Sequence, residues 1–223
     1  MEILDAGPAA APEAPYDCPL CPRLAGLRDQ LRVAHPAWFN GPVVSFGDPA
    51  ARLLIVGLAP GLKGANRTGR PFTGDFAGNL LYDTLAAFGF AAGTYRADPG
   101  DGLELRDCMV TNAVRCVPPG NKPVGSEIAT CNRFLKARIA ALPRLRAIVA
   151  LGRIAHEATF AALGLKARDY PFAHAARHRA GALQLFDSYH CSRQNTNTGR
   201  LTPAMFETVF AAVAGHLREA AVG

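Results

Sequence analysis

Four short apolar runs occur along the chain, and each is followed by a longer segment in which apolar residues repeat at helical spacing. Runs of this length that are rich in Val, Ile and Leu predict buried strands, and the segments behind them predict amphipathic helices. The predicted strands are residues 53–56, 108–114, 146–152 and 183–186. Strands that alternate with helices predict an α/β protein, a three-layer α/β/α sandwich around a four-stranded, mostly parallel sheet.

The connection after the first predicted strand, residues 57–75, is the most unusual segment of the chain. It uses about twenty residues to join a strand to a helix, whereas such connections usually take about two to six. It contains five glycines together with Lys63, Arg67 and Arg70. Glycine lets the backbone approach a ligand, and open α/β sheets bind ligands at the carboxyl ends of their strands. We therefore expect this loop to bind an anion.

The charge of the chain favours a polyanionic partner. The formal net charge is +6, and 20 of the 24 Lys and Arg residues are Arg, which binds phosphate and stacks on bases better than Lys does. A GC-rich genome would produce the same bias, so composition alone leaves both explanations open. No apolar run is long enough to span a membrane, and the first residues are acidic rather than basic. We expect a cytoplasmic, monomeric protein that does not bind membranes.

The chain predicts one domain behind a short tail. Residues 1–16 are rich in Ala and Pro and show no periodicity, which predicts a disordered tail, and residues 17–223 are long enough for one core. Residues 39–49 and 166–182 show no strand pattern and are expected to be loops, the second of them basic.

Two pairs of cysteines suggest a metal site. Cys18 and Cys21 form a C-x-x-C turn, while Cys116 and Cys131 lie further along, on a Pro-rich loop and on the helix after it. In a reducing compartment such cysteines do not point to disulfides. Four thiolates suit either zinc or an iron–sulfur cluster, and the spacing does not decide between them. Cysteines that bind no metal are also compatible with this pattern.

Several polar residues follow the predicted strands. Asp75 precedes a helix, so it is either a helix cap or a site carboxylate, and the two roles can coexist. His190 lies in a loop of hydroxyl and amide side chains, as a site residue would. Asn112 and Asn121 could present amides to a base edge, although Asn121 also suits a turn. Phe72 is either a core anchor or a stacking platform.

A nucleotide-hydrolysing protein is not supported. The segment Gly61-Leu62-Lys63-Gly64 lacks the Ser or Thr that a Walker A loop places after its lysine, and Gly57-Leu58-Ala59 does not begin a G-x-G motif.

Taken together, three motifs resemble the uracil-DNA glycosylase superfamily, specifically its iron–sulfur-containing family five. They are Gly57-Leu58-Ala59-Pro60-Gly61 with residues 64–75, Thr111-Asn112-Ala113-Val114-Arg115-Cys116-Val117-Pro118-Pro119, and His190-Cys191-Ser192-Arg193-Gln194-Asn195-Thr196. The resemblance implies a hydrolase of base-excision repair, a DNA glycosylase that flips uracil and other deaminated bases, such as hypoxanthine, out of DNA and releases them. We expect it to be monofunctional, because beyond Lys63 and Lys122 the predicted rim has no lysine that could act as a nucleophile. It also implies a four-iron, four-sulfur cluster on Cys18, Cys21, Cys116 and Cys131.

The resemblance also implies roles for the loop residues. Leu58 and Ala59 are apolar, so activating water falls to a later residue, and Asp75 is the candidate. His190 would stabilise the departing base, and Asn121 is a third catalytic candidate. The residues expected to bind the base are Gly57, Ala59, Gly61, Phe72 and Asn112. The residues expected to bind DNA are Lys63, Asn66, Arg67, Arg70, Ser192, Arg193, Gln194 and Asn195.

Two other functions remain open from the residues. A non-catalytic nucleic-acid-binding module with a structural zinc or iron–sulfur site would explain the charge and the cysteines, and would leave Asp75 and His190 as caps. A redox iron–sulfur protein is the other alternative. An assay for base release separates the glycosylase from the binding module.

Overall fold

The computed structural model describes residues 12–220. The strands are β1 Phe46–Gly47, β2 Leu53–Gly57, β3 Ala91–Ala92, β4 Glu104–Leu105, β5 Cys108–Asn112, β6 Ala147–Leu151, β7 Arg177–Ala180 and β8 Leu183–Ser188. The helices are α1 Pro22–Ala34, α2 Ala65–Thr68, α3 Phe76–Ala87, α4 Gly125–Ala140, α5 Arg153–Ala162, α6 Arg193–Asn197 and α7 Pro203–Glu219, with 3-10 turns at Pro119–Asn121 and Ala167–Asp169. Between residues 12 and 220, none of these helices is long and apolar enough to cross a membrane.

Six strands form the main sheet in the order β1-β5-β2-β6-β8-β7, while β3 and β4 form a separate hairpin. The four central strands pair in parallel. Their register places Gly57 beside Asn112 and Leu151 beside Ser188. The carboxyl ends of the central strands therefore lie along one rim, and the loops that follow them share one side of the molecule.

Helices cover both faces of this sheet. Every residue of β2, β5 and β6 is buried, as strands enclosed on both faces must be. On one face the core includes Leu81 of α3 and Phe206 and Phe210 of α7. On the other face it includes Leu135 of α4 and Phe160 of α5. The predicted three-layer α/β/α class is confirmed.

The predicted number of four strands is wrong, because a short strand extends the sheet at each edge. β1 lies within residues 39–49 and β7 within residues 166–182, both expected to be loops, and both pair antiparallel to their neighbours. β1 has only two residues, and β7 reads Arg-His-Arg-Ala. Short or charged edge strands are common because they resist further pairing, and for the same reason they lack the apolar run that predicts a strand.

The part of the predicted tail that the structure describes, from residue 12, packs against the domain. Glu13 pairs with Arg138 at 2.5 Å, and the hydroxyl of Tyr16 donates to the carbonyl oxygen of Phe39 at 2.7 Å. Residues 12–16 therefore contact the domain, where the sequence predicts a disordered tail. Residues 1–11 lie outside the described residues, so their disorder stays a prediction.

Candidate active site

A cavity of about 720 Å³ opens at the rim where β2 and β5 end. The loop after β2, the turn Pro119–Asn121 and the loop after β8 surround it. The predicted site residues that line it are Ala59, Gly61, Lys63, Phe72, Asp75, Asn112, Asn121, His190, Ser192, Arg193 and Gln194. Asp75 is the one carboxylate among the lining residues of the described chain. The cavity thus places a single negative group among basic and amide side chains.

Asp75 is both a helix cap and a cavity residue. It is the N-cap of α3, and its Oδ1 accepts a hydrogen bond from the backbone N–H of Ala77 at 3.2 Å. Burial raises the pKa of this carboxyl, and backbone N–H donors only partly oppose the rise. A Cβ on Gly61 would lie 2.9 Å from Oδ2, and a Cβ on Gly64 would overlap it more severely. The absence of a side chain at Gly61 and Gly64 therefore leaves room for Oδ2 of Asp75.

The loop between α2 and α3 holds a strained residue. Phe72 has a φ of +52°, a left-handed conformation that is costly for a bulky side chain. Two tyrosines hold it in place, since Tyr82 donates to the carbonyl of Pro71 at 2.6 Å and Tyr95 donates to that of Phe72 at 3.0 Å. Neither tyrosine is identified by the sequence pattern, because Tyr82 falls in a predicted helix and Tyr95 in a segment without periodicity. Such strain is typical of loops that position functional groups.

Phe72, His190 and Asn112 form one wall of the cavity. The rings of Phe72 and His190 stack with centroids 5.8 Å apart and planes 24° apart. A Cβ on Gly57 would lie 2.6 Å from Cζ of Phe72 and would also overlap Oδ1 of Asn112, so Gly57 leaves room for both side chains. Asn112 is 2% exposed and lines the cavity. An amide in the wall of a cavity is suited to the polar edge of a planar ligand.

His190 is held as a neutral imidazole. Burial lowers the pKa of its ring to about 4, so it carries no proton charge near neutral pH. Asn195 donates to the carbonyl oxygen of His190 at 2.8 Å, and the N–H of Asn195 donates to Oγ of Ser192 at 3.4 Å. Asn195 therefore braces the loop instead of lining the cavity. A neutral imidazole can donate a hydrogen bond to a developing anion.

Four of the residues expected to bind DNA are exposed around the cavity mouth. They are Lys63, Arg67, Arg193 and Gln194, of which Arg67 lies outside the cavity lining. The guanidinium carbon of Arg193 lies 5.4 Å from the ring centre of Phe76. This side of the molecule therefore offers flexible basic groups to a polyanion.

The structure does not place Arg70 or Asn66 where they can contact DNA, which corrects the expectation from the sequence. Arg70 is 5% exposed, and its guanidinium forks onto both carboxylate oxygens of Asp101 at 2.7 and 2.8 Å. Its Nε donates to Oγ1 of Thr73 at 2.8 Å. Asn66 is 1% exposed and donates to Oδ1 of Asn40 at 3.0 Å. Both residues hold the long loop together, because their partners lie far away in the chain and only the fold brings them near.

A second, smaller cavity of about 320 Å³ adjoins the first at His190. Arg153 and Arg200 line it, and each lies over an aromatic ring, Arg153 at 5.5 Å from the centre of Phe172 and Arg200 at 4.6 Å from that of Tyr189. Neither arginine is predicted as a site residue from the sequence pattern. The signal that could have found Arg153 is its position directly after a strand and its Gly, at the rim where ligands bind.

The four cysteines of the two predicted pairs line one small pocket beside α1 and α4. The backbone N–H of Arg115 donates to Sγ of Cys131 at 3.3 Å. Burial, with smaller contributions from the neighbouring cysteines, raises the pKa of the Cys116 thiol to about 12 and that of Cys131 to about 11. Thiols close enough to repel one another as thiolates need a bound cation to become charged.

Four thiolates in one pocket suit either zinc or an iron–sulfur cluster. In the described part of the chain, the three side chains whose ligand atoms all lie within 4.8 Å of one another belong to a different cluster.

That other cluster consists of His156, His178 and Asp187, which the sequence analysis did not single out as a site. Asp187 is fully buried, and its Oδ1 lies 2.8 Å from Nδ1 of His156 while its Oδ2 lies 3.0 Å from Nε2 of His178. Each oxygen thus accepts from a different imidazole, which is the geometry of a hydrogen-bond network. The network ties α5 and β7 to β8 three residues before His190.

Comparisons with known proteins place these features in a family. The family described as the uracil DNA glycosylase superfamily matches residues 44–214. A type-5 uracil-DNA glycosylase of Thermus thermophilus is 48% identical over 196 residues, which cover 85% of this chain and 89% of the relative. A type-5 uracil-DNA glycosylase of Mycobacterium leprae is 40% identical over 221 residues, which cover 93% of this chain and 96% of the relative. A type-4 uracil-DNA glycosylase of Archaeoglobus fulgidus is 34% identical over 119 residues, which cover 53% of this chain and 52% of the relative. The chain belongs to the uracil DNA glycosylase superfamily, with the type-5 proteins among its relatives.

Proposed function

We propose that this chain is a monofunctional uracil-DNA glycosylase that hydrolyses the N-glycosidic bond of uracil in DNA. The observation that supports this most directly is the pairing of one half-buried carboxylate, Asp75, with one neutral imidazole, His190, in a cavity ringed by basic residues. Membership of the superfamily supports the same reaction.

The charges of the reaction match the two groups. As the glycosidic bond breaks, positive charge builds on the sugar and negative charge on the departing base. Asp75 stabilises the sugar and orients the attacking water, and His190 donates a hydrogen bond to the base. A neutral imidazole suits this role because the uracil anion is a good leaving group that needs no strong acid. No lysine nucleophile takes part in this scheme.

The substrate must leave the helix to reach these groups. A base inside a duplex is not accessible to Asp75, so the proposal includes base flipping into the cavity. Asn112 would bind the polar edge of the flipped base, and Phe72 would pack against its ring. Asn121, exposed at the cavity edge with a φ of +57°, would offer a further amide. Because about 720 Å³ is more space than one pyrimidine fills, we include other deaminated bases such as hypoxanthine.

The DNA backbone would follow the basic side of the cavity. Lys63, Arg67 and Arg193 would bind phosphates around the flipped nucleotide, and Arg153 and Arg200 would extend this surface past His190. Phosphate contacts of this kind provide affinity without reading sequence.

The proposal includes a four-iron, four-sulfur cluster on Cys18, Cys21, Cys116 and Cys131. The residues fit such a group, because the four thiols line one pocket and an iron–sulfur cluster is held by four cysteine thiolates. The N–H donor of Arg115 to Cys131 is typical of cluster surroundings. When bound, the cluster would join the start of α1 to the loop after β5 and to α4, which is a structural role.

Base release from defined oligonucleotides tests this function. Iron-loaded protein is incubated with strands that carry one uracil, hypoxanthine or xanthine, and abasic sites are then cleaved with alkali. We expect cleavage of the uracil strand only after alkali, since a monofunctional enzyme leaves the backbone intact. An unmodified strand and the Asp75→Asn variant are the controls. Protein that binds these strands without releasing any base would instead be a non-catalytic binding module.

A further inference from the structure

Two buried arginines adjoin the cysteine pocket, and each has an unpaired donor. Among the described residues, Nε of Arg28 and Nε of Arg115 are the buried side-chain nitrogen and oxygen atoms without a hydrogen-bond partner. Buried donors almost always have partners, so an orphaned donor points to a missing acceptor. Arg28 donates through Nη1 to the carbonyl oxygen of Cys18 at 2.9 Å, and the backbone of Arg115 donates to the sulfur of Cys131.

The charge of Arg28 also lacks a buried partner. Its side chain is 7% exposed, and the carboxylate nearest to it, on Asp29, lies 3.6 Å from Nε, beyond hydrogen-bond distance. The Asp29 side chain is 65% exposed, so water screens its charge. Arg115, by contrast, lies 3.4 Å from Glu13, whose side chain is more enclosed. A buried charge without a compensating charge is strongly destabilising.

The cysteine pocket can supply the compensating charge. Arg28 contacts the pocket through the 2.9 Å hydrogen bond from its Nη1 to the carbonyl oxygen of Cys18, one of the four residues expected to hold the cluster. Four thiolates around an iron–sulfur cluster leave a net negative charge next to this guanidinium. Without the cluster, the structure contains a buried cation with a free donor beside the cysteine pocket.

We propose that Arg28 is the buried counter-charge of the cysteine-bound cluster and that its free Nε donates to a sulfur of the cluster or its ligands. The inference rests on the proposed cofactor, not on the glycosylase activity. Positive charge beside a cluster stabilises its more negative, reduced form, so Arg28 raises the reduction potential. The same contact holds the Cys18 loop closed and slows the loss of iron.

The test compares two substitutions of Arg28 with a control on the same helix. Arg28→Gln removes the charge, and Arg28→Lys keeps the charge but has no donor at Nε. Arg32, one turn further along α1, pairs with Asp17 at 2.7 Å, so Arg32→Gln and Arg32→Lys are matched controls. Each protein is reconstituted without oxygen. The midpoint potential is measured by titration of the cluster absorbance, and iron release by transfer to a chelator.

The expected results separate charge from hydrogen bonding. Arg28→Gln should show a more negative midpoint potential and release iron about 10- to 100-fold faster, the size typical of losing an outer contact to a metal site. Arg28→Lys should keep a potential close to that of the unchanged protein but still release iron faster. Both Arg32 variants should match the unchanged protein in both measurements.

Several results would overturn the proposal. An unchanged midpoint potential in Arg28→Gln would show that Arg28 does not act on the cluster charge. If Arg28→Gln does not fold, the Arg28→Lys variant decides. Iron release from Arg28→Lys at the same rate as from Arg32→Lys would then contradict the proposal. Protein that takes up zinc and no iron would remove the cluster, and with it the role of Arg28. Because uracil release is assayed separately, such a result leaves the proposed glycosylase activity to its own test.

Discussion

A β-carbon on Gly64 would lie 2.8 Å from Cγ of Asp75, closer than real Cβ contacts come. The missing side chain of Gly64 is therefore what allows the Asp75 carboxylate to take its position over the loop after β2. This explains in physical terms why a glycine stands at this point of the loop. It also gives a way to move the carboxylate without changing Asp75 itself.

Gly64→Ala should slow uracil release by about a hundredfold, the cost typical of displacing a catalytic group by roughly 1 Å. The fold should survive, because the added methyl meets a partly exposed side chain and not the core. Gly61→Ala should cost less, since its Cβ would touch only Oδ2, at 2.9 Å. Gly26→Ala, whose Cβ would meet nothing within 4 Å, is the control. Single-turnover rates and thermal melting give the answer, and equal rates for Gly64→Ala and Gly26→Ala would contradict the idea.

Asp75→Asn separates the catalytic role from the capping role. The amide oxygen can still accept from the N–H of Ala77, so the cap is kept, while the cost of burying a charge disappears. We expect a melting temperature equal to or above that of the unchanged protein and a single-turnover rate lower by about a hundredfold or more. A variant with full activity would return Asp75 to a purely structural role.

The pH dependence of base release should follow Asp75 and not His190. Burial raises the pKa of Asp75, and the proposed mechanism needs its carboxylate, so the rate should rise as pH increases through that raised value and then level off. His190 is neutral above about pH 4, so its titration should leave no step near pH 6.5. Asp75→Asn should lose the rise in its residual activity. A rate that falls as pH increases between about 6 and 7 would show that a protonated histidine is required instead.

The pattern of apolar runs along the chain predicts those parts of the site that lie at the carboxyl ends of the strands. The central strands, the long loop, and the meeting of Asp75, His190 and Asn112 at one rim follow from the order of apolar runs and from the rule that parallel strands end together. What sequence cannot show is which side chains are buried. Arg70 has the residue type of a phosphate contact, and only the fold reveals that Asp101 holds it.

The same limit applies to contacts that join distant segments. Tyr95 lies in a stretch without periodicity, and nothing near it in the chain indicates that its hydroxyl holds the backbone at Phe72. The network of His156, His178 and Asp187 joins three elements whose spacing matches no metal motif. Such partners are set by the packing of the helices and strands, so they become visible only once the sheet order is known.

Arg70→Gln should act on stability and leave the salt dependence of DNA binding unchanged. The ion pair holds the pKa of Asp101 well below its usual range, and without Arg70 that carboxylate keeps only the backbone N–H donors of Arg96 and Leu103, so the variant should have a lower melting temperature. A carboxyl whose pKa is lowered by folding stabilises the protein at pH values above its ordinary pKa. This contribution is lost as the pH falls towards the lowered pKa. Arg67 is an exposed neighbour, so Arg67→Gln is the matched variant, and its melting temperature should not change. If Arg67 binds one phosphate, the slope of the logarithm of the DNA-binding constant against the logarithm of salt concentration should fall in magnitude by about 1. The reverse pattern would make Arg70 the phosphate contact.

The loop that begins α6 should fill the gap left by a flipped base. It carries no large apolar residue, but Arg193 and Gln194 are exposed at the cavity edge, and a guanidinium or amide plane can stack on bases and donate to the orphaned partner. Unstacking a paired base costs a few kcal/mol, so loss of these two side chains should slow excision most where the target base is most strongly paired.

The double change Arg193→Ala, Gln194→Ala should therefore slow excision of uracil opposite adenine far more than that of uracil opposite guanine or in a single strand. Arg168→Ala, which removes a guanidinium that is 77% exposed and lies outside the cavity lining, controls for the loss of one positive charge. Single-turnover rates on the three substrates are compared for each protein. If the double variant lost the same factor on all three, the loop would serve as an electrostatic anchor for the strand, since phosphates are present whether or not the base is paired.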